Sequence, residues 1–63
     1  PGYINTDTVE VLSDKQKDAI MGWIPMQKFG EVEDISNMVG YLSSNNAKYI
    51  TGQTISIDGG MAI

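Results

Sequence analysis

The chain contains no cysteine and no histidine. That removes disulfides and the usual thiolate and imidazole metal ligands, on which many short domains rely. It also leaves carboxylates, lysine or tyrosine as the only side chains for proton transfer, and no catalytic or metal-binding cluster is expected. Basic residues are scarce as well: four stand against eight acids, for a net charge of −4, and they do not cluster. Without a basic patch, neither a nucleic-acid backbone nor an anionic membrane surface is an expected partner. No apolar run approaches the roughly 18 residues of a membrane span. The first residues carry neither the charged nor the apolar region of a secretory signal.

Length is short too. A compact chain of 63 residues would bury about 6,000 Å². With about 60% of that area apolar, burial at ~25 cal/mol/Å² returns roughly 90 kcal/mol against about 95 kcal/mol of ordering cost, a balance near zero. The composition is nevertheless globular, with 30 of 63 residues drawn from Ala, Val, Ile, Leu, Met, Phe, Trp and Gly, so disorder is not expected. A partner, or more of the same chain, is the expected stabiliser. The opening Pro1-Gly2 is turn chemistry that ordinarily joins two elements, and it suggests a piece of a longer chain.

What is present reads as three helices and one strand. Thr6 or Asp7 can cap a short helix through Val9, Glu10, Val11 and Leu12. Ser13 and Gln16 form a capping-box pattern for a second helix reaching about Trp23, which Pro25 stops. Acids at positions 31, 33 and 34 open a third helix over 31–43, with Val32, Ile35, Met38, Val39 and Leu42 at helical spacing. Ile55 and Ile57 alternate with polar residues, which predicts a strand over 53–58, closed by Gly59-Gly60. A lone strand must find its hydrogen-bond partners outside these residues. Gly59-Gly60 is no phosphate loop, because no helix follows it. Trp23, Met21 and Met26 can line an apolar ligand site, and can equally be ordinary packing.

Four strings then carry a resemblance: Pro1-Gly2-Tyr3-Ile4-Asn5-Thr6-Asp7, Ile24-Pro25-Met26-Gln27-Lys28-Phe29-Gly30, Tyr49-Ile50-Thr51-Gly52-Gln53-Thr54, and Ile57-Asp58-Gly59-Gly60. In order and spacing, over the whole chain, they resemble the carboxyl-terminal quarter of the classical short-chain dehydrogenase/reductases. Within that family the likeness is to bacterial-type beta-ketoacyl-acyl-carrier-protein reductases, then to acetoacetyl-CoA reductases. Three positions depart from the family's habit: Thr8 where Met is frequent, Lys28 where Arg is usual, and Val32 where Pro often opens the last helix. Lysine lacks the planar fork of arginine, so an ion pair with Asp34 would be looser.

The resemblance implies an α/β fold, of which these residues are the last piece of a Rossmann-type doubly wound parallel sheet rather than a complete domain. It implies a cofactor-clamp loop over 1–7, a substrate lid over 8–26, the last helix over 31–43 and the last strand over 53–58. In the clamp, Pro1 and Gly2 shape a turn over the nicotinamide, the backbone of Ile4 meets its carboxamide, and the hydroxyl of Thr6 bonds the carboxamide or a phosphate oxygen. The lid would bury Leu12, Met21 and Trp23 against the substrate. The catalytic Ser and the Tyr-x-x-x-Lys pair would lie upstream of Pro1, in the rest of the same Rossmann domain. The whole would be a cytoplasmic, commonly tetrameric reductase of a beta-ketoacyl thioester, with NADP(H) placed ahead of NAD(H) as cofactor. The alternative from another class is a noncatalytic helical module that adds strand 53–58 to a partner's sheet.

Overall fold

In the computed structural model, which describes residues 1–63, three α-helices follow one another: α1 (Asp7–Glu10), α2 (Asp14–Met21) and α3 (Val32–Leu42), with a 3-10 turn over Asn45–Ala47. The local causes are mostly those expected. Ser13 accepts from the Gln16 backbone N–H at 3.1 Å while the Gln16 side chain accepts from the Ser13 N–H at 2.9 Å, so the capping box of α2 is complete. At α3 the carboxylate of Asp34 reaches back to the Glu31 N–H at 2.7 Å, satisfying a donor before the helix starts.

The helix ends are shorter than the sequence suggests. α1 stops at Glu10 rather than reaching Leu12, and Thr6 occupies its N-cap position without a side-chain hydrogen bond. α2 stops at Met21, two residues before Trp23. There the chain tightens, with Trp23 N–H bonded to Ile20 C=O and Ile24 N–H to Met21 C=O, each spanning three residues. The 3-10 turn was not expected. Its signal is Ser44, whose hydroxyl accepts from the Asn46 N–H at 3.2 Å.

The strand over 53–58 does not form. The only pairing of extended backbone is a single parallel bridge between Ile4 and Gly30, and residues 51–56 make no backbone hydrogen bond. The alternating pattern is there, but no second strand in the chain offers a ladder. The segment is tied to the start of the chain by Gly2, whose N–H donates to Ile57 C=O at 3.0 Å.

Burial is correspondingly thin. Only Val9, Ile24 and Ala47 are buried. The accessible surface of 5068 Å² exceeds the about 4,000 Å² of a compact protein of this mass. The radius of gyration, 13.9 Å, exceeds the about 11 Å expected for this length. The result is a slab of 43 × 24 × 14 Å. α3 leaves Val32, Val39 and Leu42 exposed on it. No helix is long and apolar enough to cross a membrane.

Candidate functional site

Three short segments meet: 1–6, 24–30 and 56–60. The first is positioned by Gly2. Besides its bond to Ile57, Gly2 lies so near the chain at Asp58 that a Cβ there would sit 2.8 Å from Asp58 Cβ and 2.9 Å from its Cα. Only glycine lets the two backbones approach this closely.

The parallel bridge then orients Ile4. Its hydrogen bonds run from Asn5 N–H to Gly30 C=O at 2.7 Å and from Gly30 N–H to Tyr3 C=O at 2.9 Å. In such a bridge the residue flanked by the two bonds, here Ile4, points its own N–H and C=O away from the partner. Both backbone groups of Ile4 are therefore without a partner. The rings of Tyr3 and Phe29, 6.4 Å apart and tilted by 57°, flank the bridge and help fix its register. Two residues on, the Thr6 C=O accepts from the N–H groups of Val9 and Glu10, while its exposed hydroxyl bonds nothing in the chain.

The third segment closes the site from beneath. Gly59 and Gly60 both take positive φ, 66° and 92°, a conformation that side chains resist. The Asp58 carboxylate holds this turn by accepting from Gly60 N–H at 3.0 Å and Ala62 N–H at 3.2 Å. Between the bridge and the turn lies a cleft of about 530 Å³, lined among others by Tyr3, Ile4, Phe29, Ser56 and Asp58.

Of the residues singled out in the sequence, Ile4 lines this cleft. Pro1, Gly2 and Thr6 belong to the same segment but lie outside the lining. The residues read as a lid are elsewhere: Leu12, before α2, and Met21, at its end, are half-buried, and Trp23 is 61% exposed. The structure thus brings the clamp residues into one extended segment and leaves the lid residues apart from the cleft. Sequence reasoning missed Asp58, which it took with Gly59-Gly60 as a strand end. The available signal was an aspartate directly before two glycines, a pattern in which the carboxylate caps the following turn. Lys28 and Asp34 both line the cleft, and the Asp34 carboxylate is engaged by the Glu31 N–H. No group of three acids is placed to hold a metal ion.

Comparison with known proteins supplies the context for this geometry. A family model described as Enoyl-(Acyl carrier protein) reductase matches residues 1–62. The chain is similar to the 3-oxoacyl-acyl-carrier-protein reductases FabG of Staphylococcus epidermidis, with 52% identity over 61 residues, and Staphylococcus aureus, with 49%. The protein of that name from Rickettsia prowazekii is 48% identical over the same length. In each case the match takes in 97% of this chain and 25% of the relative, so the chain spans about a quarter of the length of the curated relatives it matches. With four strings in register and a family match across nearly every residue, the chain belongs to the short-chain dehydrogenase/reductase family.

Proposed function

We propose that these 63 residues serve as the nicotinamide clamp, substrate lid and oligomer contact of a cytoplasmic reductase that converts a beta-ketoacyl thioester to the beta-hydroxyacyl thioester. The rest of the Rossmann-type domain, with the catalytic groups, would come from the larger part that the relatives have and this chain does not span. The single observation that carries the reading is Ile4, whose N–H and C=O stand unpaired at the edge of the cleft.

A carboxamide needs one acceptor for its NH₂ and one donor for its oxygen, and Ile4 offers both from a backbone that the bridge to Gly30 holds still. The hydroxyl of Thr6 adds a third neutral contact. None of the three places a charge beside the ring, which leaves a hydride path undisturbed. When bound, the nicotinamide supplies that hydride. NADP(H) is placed ahead of NAD(H) on the family resemblance alone, because the residues that choose between them belong to the second strand of a Rossmann sheet. Residues 8–26 form the lid, and the exposed face of α3 with the unpaired 53–58 supplies contact surface, consistent with a tetramer. A noncatalytic module that adds 53–58 to another protein's sheet is the competing reading, and the reductase likeness over 97% of the chain favours the enzyme.

The matching names differ in the bond reduced. The family description names an enoyl substrate, a C=C bond, and the relatives' names a 3-oxoacyl one, a C=O bond. Identity near one half over the whole chain favours the ketone. The test is Thr6→Val in the full-length reductase, which keeps the shape and deletes the hydroxyl. Nicotinamide binding should weaken by about 1 to 3 kcal/mol, and a short 3-oxoacyl thioester should be turned over in preference to its 2-enoyl counterpart. An unchanged dissociation constant in a folded variant contradicts the clamp, and preference for the enoyl thioester contradicts the substrate.

A further inference from the structure

We propose that Asp58 is a positioning residue, whose carboxylate holds the 58–60 turn as a brace between the end of the lid and the clamp loop. The inference rests on the clamp reading above for its consequence, and on contacts in this chain for its existence. Three sets of contacts converge on the turn. The carboxylate spans it, with Oδ1 accepting from Gly60 N–H and Oδ2 from Ala62 N–H. On one side the turn bears the clamp, through the Gly2 bond to Ile57 and the near approach of Gly2 to Asp58. On the other it bears the lid's last residues. Met26 N–H donates to Gly59 C=O at 3.0 Å, and a Cβ on Gly59 would meet Ile24 Cγ2 at 2.7 Å. Gly60 stacks against Pro25, whose Cγ would lie 3.2 Å from an added Cβ.

Ile24 is 2% exposed, the most buried residue in the chain, so the lid is pinned to the turn and not merely beside it. Clamp and lid are contiguous at residues 7 and 8, and the bridge from Ile4 to Gly30 ties the clamp to the chain just beyond the lid. The turn is a further connection, the one that touches both the start of the clamp and the end of the lid. Glycine reaches positive φ at no steric cost but is loosely restrained there, so two in a row leave the turn free to move unless other contacts hold it. The two hydrogen bonds to Asp58 do that. Loosening them lets residues 58–60 relax, which shifts the floor under Gly2 and the anchor under Ile24 together.

The experiment uses the full-length reductase with Asp58→Asn and Asp58→Ala. Asparagine keeps one acceptor oxygen and loses the other, and alanine loses both, so a graded effect is the signature. Amide exchange without cofactor should quicken together in peptides spanning 1–7 and 22–29, more in the alanine variant, while α3 exchanges as in the parent. The nicotinamide dissociation constant should rise about three- to tenfold, a larger change than any in kcat at saturating cofactor. If exchange quickens only at 59–62, the brace does not exist. Should Asp58→Ala not fold, the asparagine variant decides by the same comparison. If the parent binds no nicotinamide while the variants still quicken exchange together in 1–7 and 22–29, the brace stands and the clamp reading falls.

Discussion

At Gly2 a hydrogen would be replaced by a methyl group aimed at Asp58 Cβ and Cα, whereas at Gly40, in the last turn of α3, the same methyl meets nothing within 4 Å. The two glycines therefore predict opposite outcomes. Gly2→Ala forces the clamp turn away from 58 and should cost about 1 to 3 kcal/mol. Gly40→Ala removes backbone freedom from the unfolded chain and should stabilise α3 by about 0.5 to 1 kcal/mol. Chemical denaturation of the full-length reductase carrying each substitution checks both. A destabilising Gly40→Ala would show that another surface packs on α3 at that point. Little of this contrast was legible beforehand. Both glycines look alike in the sequence, and what separates them is which distant backbone lies opposite.

The elements were more legible, since their causes are local. The capping box at Ser13 and Gln16, and the stripe Val32, Ile35, Met38, Val39, Leu42, each specify a helix through neighbours three or four residues apart. The 53–58 strand was read from alternation, which says which side a residue faces and nothing about the ladder it needs. The clamp lay between these cases: its residues were named from a resemblance, but the unpaired state of Ile4 follows from a bridge to Gly30, 26 positions away. Helices α1 and α2, assigned to the proposed lid, bury only Val9 between them, and such sparse packing gives the low local stability that a gate requires. Trp23, the only tryptophan of the chain, reports on it. With other tryptophans of the full-length reductase replaced, its emission should shift to the blue when cofactor and a substrate analogue bind. An emission indifferent to both ligands makes the segment a fixed wall.

The whole molecule is a slab with apolar residues on its outside. Val39 is 57% exposed on α3, and Ile55 stands on a segment with no backbone partners. Surface beyond that of a compact protein means less burial than the near-balanced ledger assumed, so the 63 residues alone should be loose and partly helical. Calorimetry and sedimentation at micromolar concentration check this, and a sharp transition from a single-chain species would contradict it. If the clamp exists, nicotinamide binding must quench the free backbone of Ile4. Amide exchange of the full-length reductase, measured with and without NADPH, tests that most directly: exchange in the peptide covering 1–7 should slow with cofactor bound while the peptide covering 44–52 stays as it was. Equal exchange at 1–7 in the two states would contradict the account.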